Sequence, residues 1–181
     1  TAAYFGYGGR YSYRNQPAAC EWNLRLLQKP LKRIIDAAAL EAGFATYTDH
    51  YERYYRQRML AKLGFDSLPD DLGQDLIKQT IELLSQVQVS YHTFFLELTR
   101  QFSVDWAEAS EQIFSTTFQA SDAGAQGWLD QWRQLYQRAL QTQSSSAIAA
   151  MPARLQRTNP ETVLLRPEIE RSEEHTSELQ S

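Results

Sequence analysis

The stretch WLDQWRQLYQRAL, residues 128–140, carries the clearest helical pattern in this sequence. Its large apolar residues recur every three or four positions, as they do on the side of an α-helix that faces a protein core. These apolar positions are Trp128, Leu129, Trp132, Leu135, Tyr136 and Leu140. The pattern predicts a strongly amphipathic helix and favours a helical fold built around it.

Helical spacing of apolar residues continues on both sides of this stretch. It predicts helices over residues 18–40 with an interruption at Pro30, and over 46–63, 72–84, 91–98, 104–118 and 148–155. Gly43 is interpreted as a break and Gly64 as a helix end, because glycine readily takes the left-handed conformation found at such ends. Pro69 and Asp70 are typical of a helix start. We therefore predict a mainly α fold.

Composition narrows the class of protein and of partner. The chain has 181 residues, 43% of them hydrophobic, which suits one globular domain. Its formal net charge is -4, so it lacks the positive field that is typical of nucleic-acid binders. The single cysteine, Cys20, excludes an internal disulfide and favours a reducing, cytoplasmic compartment. No apolar run is long enough to span a bilayer. We expect neither nucleic acid nor membrane as a partner.

Isolated residues that could carry chemistry have structural interpretations that we favour. The glycines of GYGG, residues 6–9, could cradle a phosphate, but no strand precedes them and no lysine follows. His50 and His92 could bind a metal, but neither has a partner at the spacing that metal sites use. Cys20 lies in a helical apolar run, which is typical of a small buried residue rather than a nucleophile.

Two charged clusters leave an alternative open in the same way. The basic and aromatic stretch YERYYRQRMLAKLG, residues 51–64, could bind a nucleic acid or a nucleotide phosphate. It could instead be a core stripe flanked by solvated arginines, which is the interpretation that we favour. Asp70, Asp71 and Asp75 could hold Mg²⁺ or act as acid and base. Their position at a helix start explains them without a function.

The stretch GRYSYRNQPAACEWNL, residues 9–24, resembles a motif of the selenoprotein O family of protein adenylyltransferases, kinase-like enzymes that transfer AMP to proteins. The matching residues are Gly9, Arg10, Tyr11, Asn15, Gln16, Pro17, Trp22, Asn23 and Leu24. RMLAKLG, SYHTFFLELT, WLDQWRQLYQRAL and MPARLQRTNPETVLLRPEIE resemble later family segments in the same order. The resemblance spans residues 2–170, with departures at Ser90 and Pro167.

The resemblance implies a fold and a domain organisation. Residues 18–170 would be the helical C-terminal lobe of a kinase-like fold, truncated and ending in an extended segment. Residues 1–17 would be a loop that leaves the missing active-site half. The last residues, RSEEHTSELQS (171–181), resemble a translated sequencing-adapter oligonucleotide, and we predict that they are not natural protein.

The family's catalytic, nucleotide-binding and magnesium-binding residues lie upstream of its Gly-Arg-Tyr motif. The resemblance therefore implies that the intact parent protein binds ATP and Mg²⁺ and that this fragment binds neither. It also implies that this sequence contains no catalytic, cofactor-binding or metal-binding residue. A supporting role behind the active site is expected for Arg10, Tyr11, Asn15, Gln16, Pro17, Trp22 and Asn23. Asn15 and Pro17 suit a helix start, and Trp22 shares a helix face with Leu26, which predicts a buried anchor.

The resemblance implies the C-terminal helical fragment of an enzyme that transfers AMP from ATP to protein hydroxyl groups. Its partners would be the missing N-terminal kinase-like half and, in the intact enzyme, protein substrates. The alternative is a self-contained helical interaction domain without enzymatic activity. A truncated lobe should expose apolar side chains where its other half docks, and a self-contained domain should not. Tyr4, Phe5 and Tyr11 are the residues whose exposure would distinguish the two.

Overall fold

A computed structural model describes residues 15–87, 89–115 and 123–162, and within these ranges it contains helices and no strand. The chain divides into two compact units, Thr1–Arg56 and Gln57–Ser181. The α-helices are α1 (Gln16–Leu31), α2 (Ala37–Ala45), α3 (Tyr47–Lys62), α4 (Asp70–Gln86), α5 (Tyr91–Gln101), α6 (Ala123–Gln141), α7 (Ser145–Ala149) and α8 (Met151–Thr158). The prediction of a mainly α fold is confirmed, and the kinase-like lobe stays a prediction.

The first unit begins with α1, whose start follows the sequence pattern in part. Pro17 lies in the first turn, where its missing N–H costs no hydrogen bond. Asn15 precedes the helix, but its side chain makes no capping hydrogen bond. Its backbone is near-helical (φ -93°, ψ -2°), whereas a capping residue is usually extended. Pro30 lies inside the last turn, so the predicted interruption falls one residue later, after Leu31.

Gly43 lies inside α2, so the predicted break there is wrong. Helix α2 has a well-capped start instead. The Asp36 carboxylate accepts hydrogen bonds from the backbone N–H groups of Ala38 and Ala39 at 3.0 and 3.1 Å. The surrounding sequence is rich in alanine, the best helix former, which offsets the cost of about 1 kcal/mol for one interior glycine.

Gly64 ends α3, as the sequence predicts. Its φ of +95° is in the left-handed region that favours glycine. The Phe65 N–H donates to the carbonyl of Leu60 at 2.9 Å, and the Gly64 N–H donates to the carbonyl of Ala61 at 3.1 Å. These two bonds form a Schellman motif, which satisfies helix-end carbonyls that would otherwise lack partners.

The second unit is built around α6, which packs most extensively on α4. The large side chains that are fully buried in the second unit include Leu63, Phe65, Leu76, Leu83, Phe94, Phe95, Leu98, Ile113, Phe114, Leu129, Trp132 and Tyr136. The Trp132 ring stacks on Tyr136 with centroids 4.8 Å apart and meets Phe94 edge-on at 5.4 Å. The polar group of each ring has a hydrogen-bond partner. The Trp132 indole N–H donates to Thr80 Oγ1 at 2.8 Å, and the Tyr136 hydroxyl donates to the carbonyl of Leu63 at 2.9 Å. The predicted amphipathic helix is confirmed.

The prediction of an α-helix over residues 104–118 is wrong for residues 104–115, the part of this segment that the structure describes. The segment forms two 3₁₀ turns, Val104–Ala107 and Ser110–Gln112. Phe114 follows with a φ of +55°, which is rare for a bulky residue. Arg133 on α6 holds this backbone, because its guanidinium donates to the carbonyls of Ile113 at 2.7 Å and Phe114 at 3.2 Å. Burial of apolar side chains against α6 therefore overrides the helical spacing.

The short helix predicted over residues 148–155 is two helices, α7 and α8. Ser144 starts α7 by accepting a hydrogen bond from the Ala147 N–H at 3.2 Å. The chain then turns at Ala150, and Pro152 suits the first turn of α8 because proline needs no hydrogen-bond acceptor there. The predicted extended segment beyond residue 162 and the tail at 171–181 lie outside the described residues.

Candidate functional site

The predicted supporting residues lie at the start of α1, as far as the structure describes them. Arg10 and Tyr11 lie outside the described residues, as do Tyr4 and Phe5. The exposure of Tyr4, Phe5 and Tyr11, which would distinguish the two functions, stays a prediction. The described members of the set are Asn15, Gln16, Pro17, Trp22 and Asn23. Their supporting role stays a prediction.

Helix α1 is bonded to the two helices that follow it in the first unit. The Tyr47 hydroxyl of α3 donates to the carbonyl of Pro17 at 3.1 Å. Further along, the Gln28 side chain donates to the carbonyl of Leu40 in α2 at 3.1 Å. Burial raises the pKa of Tyr47, and the nearby side chains of Cys20, Tyr51 and Glu21 raise it further by a smaller amount. The Tyr47 hydroxyl therefore keeps its proton and can donate this hydrogen bond. The Asn-Gln-Pro turn is therefore positioned by α3.

A column of stacked rings runs along the same side of the first unit. The Arg25 guanidinium lies 4.2 Å from the centre of the Phe44 ring. The rings of Phe44, Tyr47, Tyr51 and Tyr55 follow at centroid separations of 6.3, 6.4 and 5.9 Å, all within 22° of parallel. The three tyrosines share one face of α3 because they are four residues apart. The sequence-based interpretation of a tyrosine stripe is correct, although the rings of Tyr51 and Tyr55 are exposed rather than core.

Trp22 and Cys20 are corrections to the sequence analysis. Trp22 is 47% exposed, so it is not a buried anchor within this chain, and Cys20 is exposed instead of buried. Helical spacing correctly places Trp22 and Leu26 on one side of α1, but this side is exposed. Among residues 15–58, none is buried. The effect of Trp22 in a full-length protein stays a prediction.

A second cluster joins two segments that are far apart in the sequence, the end of α3 and the end of α8. In α3, Lys62 donates through Nζ to Asn159 Oδ1 at 3.1 Å, and its carbonyl accepts a bond from Asn159 Nδ2 at 2.9 Å. Asn159 also donates to Thr99 Oγ1 on α5 at 3.2 Å. The Lys62 ammonium lies 5.3 and 4.7 Å from the ring centres of Tyr91 and Phe95, a cation–π geometry. Burial lowers the pKa of Lys62.

The end of α3 is held by α8 in a further way. Arg154 donates to the carbonyl of Gly64 at 2.6 Å. The segments RMLAKLG and RTNPE therefore meet in space although 97 residues separate Lys62 from Asn159. Sequence reasoning missed this pairing, and its only signal was that both segments resemble the same family. The arrangement ties α3, α5 and the end of α8 together. The Lys62 ammonium is bonded to Asn159 and covered by two rings, which indicates a structural role for it.

Replacing Asn159 by alanine should destabilise the chain by roughly 1–3 kcal/mol, because the Lys62 carbonyl and ammonium lose buried partners. Urea unfolding followed by circular dichroism measures this. The double variant Lys62→Met/Asn159→Ala serves as the control. It should lose less than the sum of the two single variants, since the two residues bond to each other. Additive losses would contradict the pairing.

The structure also locates other residues that the sequence suggested as candidates. His50 is exposed and lies 2.6 Å from the Arg53 guanidinium through its Nδ1 atom. Asp70 and Asp71 lie in the first turn of α4, at its positive end. Over residues 15–87, 89–115 and 123–162, no three His, Cys, Asp or Glu side chains converge as a metal site requires. The helices of these ranges also include none with the length and apolarity to cross a bilayer.

Comparison with known proteins matches this chain to one family. The model of the protein adenylyltransferase SelO family matches residues 1–180. A Gloeobacter violaceus protein named protein nucleotidyltransferase YdiU is 46% identical over 170 residues, which cover 94% of this chain and 34% of the relative. Proteins of the same name from Trichormus variabilis and Trichodesmium erythraeum are 39% and 41% identical, again over 94% of this chain and 35% of each relative.

The chain therefore spans about a third of the length of the curated relatives it matches. No solved structure gives a significant match. The family model nevertheless covers nearly the whole chain, and the matched range includes the start of α1 and the end of α3. This chain belongs to the protein adenylyltransferase SelO family.

Proposed function

We propose that this chain is the helical part of a protein adenylyltransferase that transfers AMP from ATP to hydroxyl groups of protein substrates. The observation that carries the proposal is the family match over residues 1–180, combined with relatives about three times as long. The portion of those relatives outside the match would supply the kinase-like, nucleotide-binding half. The single cysteine favours a cytoplasmic location.

ATP and Mg²⁺ are proposed to be held outside this chain. Mg²⁺ prefers carboxylate and carbonyl oxygens in octahedral geometry. The described residues do not fit that requirement, because their acidic groups do not converge and Asp70 and Asp71 occupy a helix start. The described residues of this chain would position the active site through α1 and would not contact the nucleotide.

The rival function, a self-contained helical interaction domain, is disfavoured by the first unit. A self-contained domain closes its apolar faces on themselves. Among the described residues, nine of the eleven exposed large apolar side chains belong to the first unit. This distribution supports a part of a larger protein.

Isothermal titration calorimetry of the 181-residue chain with ATP should show no magnesium-dependent binding. The intact Gloeobacter violaceus relative, titrated in the same buffer, is the positive control and should bind. Tight magnesium-dependent binding by this chain alone would contradict the placement of the nucleotide site.

A chimera tests the function itself. The matching third of the Gloeobacter violaceus relative is replaced by residues 1–170 of this chain, and transfer of radiolabelled AMP to protein is measured. We expect transfer above a no-enzyme background. A chimera that melts cooperatively but transfers no AMP, beside an active unmodified relative, would contradict the proposed function.

A further inference from the structure

The polar contacts of α1 within the first unit come from one side of the helix. Pro17 accepts the Tyr47 bond, Arg25 covers Phe44, and Gln28 bonds to α2. The side chains of Leu26 and Leu27, in contrast, are exposed. A surface helix normally has the reverse arrangement, with its apolar side packed and its polar side in water.

Exposed large apolar residues are concentrated on α1 and on the turn after it, and this set is here called the α1 face. Its members are Trp22, Leu24, Leu26, Leu27, Ile34 and Ile35. On the helix, Trp22 and Leu26 lie on one side, and Leu24 and Leu27 lie on another. Leu27 is 52% exposed and Ile34 is 82% exposed. Water contact with so many large apolar groups is unfavourable, and the cost grows with the apolar area exposed. Concentrations of this kind mark interaction sites.

We propose that the α1 face docks onto the remaining part of a full-length family member, in the same polypeptide. The relatives extend about two thirds of their length beyond the region that this chain matches. An occupant in the same polypeptide binds at a high effective concentration and needs no separate association step. A second copy of this chain lacks that advantage. The identity of this occupant rests on the proposed function. Whether the α1 face becomes buried in the longer protein can be measured without any assay of activity.

Cys20 provides a probe of the docking. It is exposed, and it lies on one side of α1 with Leu24 and Leu27, at spacings of four and seven residues. Its reaction with iodoacetamide, read on the Cys20 peptide by mass spectrometry, should be rapid in the 181-residue chain. In the chimera it should slow by about tenfold or more, because reaction then requires local opening. Equal rates in the two proteins would overturn the proposal.

The variant Leu26→Gln/Leu27→Gln tests the face by substitution. Glutamine keeps the length and helix propensity of leucine, so the melting temperature of the isolated chain should stay unchanged. In the chimera, the same pair should lower the melting temperature by several degrees and speed the labelling of Cys20. The matched control is Ile81→Gln, an exposed apolar position on α4, which should leave both readouts unchanged. An equal effect of the pair and the control in the chimera would overturn the proposal.

Three further outcomes separate the possibilities. A 181-residue chain that is dimeric by sedimentation, with Cys20 protected in the dimer, would assign the face to a second copy and overturn the proposal. If the double variant prevents the chimera from folding, Leu27→Gln alone and the labelling of the unmodified chimera still decide the result. If the chimera is active but Cys20 reacts as fast as in the 181-residue chain, the docking proposal is refuted and the proposed function is not. If the chimera is inactive but Cys20 is protected, the proposed function is refuted and the docking proposal is not.

Discussion

Replacing Trp132 by alanine should destabilise the second unit by roughly 3–5 kcal/mol, the cost of removing a large ring from a packed core. Trp132 is fully buried, stacks on Tyr136 and contacts Phe94 edge-on. Its loss would leave a cavity between α4 and α6 and would remove the hydrogen bond to Thr80. Chemical unfolding monitored by circular dichroism measures the change.

Two control variants separate the sources of this effect. Trp128→Ala lies one turn earlier on α6, where the ring is only partly buried, and should cost clearly less. Trp132→Phe keeps an aromatic ring and should lose less than Trp132→Ala. The Thr80 hydroxyl retains its own bond to the carbonyl of Leu76 at 2.7 Å in that variant. Equal losses for Trp132→Ala and Trp128→Ala would show that the core is not centred on Trp132.

Gly64→Ala should cost roughly 1–2 kcal/mol from backbone strain alone, because residues with a side chain disfavour the left-handed conformation. At a φ of +95°, an added Cβ would also lie 2.7 Å from Met151 Cε and 3.3 Å from Leu155 Cγ. The methionine end can move, but the leucine branch is packed in the core. The variant should therefore loosen the contact between the end of α3 and α8 and lower the free energy of unfolding.

The matched control is Gly127→Ala in α6. That position has ordinary helical φ, and no atom lies within 4 Å of an added Cβ. Alanine there should stabilise the protein by up to about 1 kcal/mol through its helix propensity. The two substitutions are chemically identical, so opposite signs in one unfolding assay would identify the backbone conformation as the cause. A neutral Gly64→Ala would contradict the assigned helix end.

Local sequence rules predicted much of the second unit. Helix α6 follows the apolar spacing of its own residues, and α4 begins where Pro69 and Asp70 indicate. The Gly64 helix end depends on one residue and its immediate neighbours, so sequence suffices for it. The rules failed at Val104–Ala107 because short-range periodicity does not include the cost of leaving Trp106 and Phe114 outside the core.

The candidate site was predicted less completely. The Asn-Gln-Pro motif and the helix it starts are local features, and they follow the sequence. The bond from Tyr47 to Pro17 joins residues 30 positions apart, and the contact of Lys62 with Asn159 joins residues 97 apart. Neither pair has a local signal, because a hydrogen-bonding partner at that distance is selected by how the helices pack.

The sequence by itself determined the helical class, the positions of most helices, the end of α3 and the family. Each of these depends on the spacing or conformational preference of neighbouring residues. Only the tertiary structure decided which helix faces are covered. Periodicity places Trp22 and Leu26 on one side of α1, but it cannot say what lies opposite them. Burial is a property of the partner surface as well as of the helix, and in this chain the apolar side of α1 is exposed to solvent.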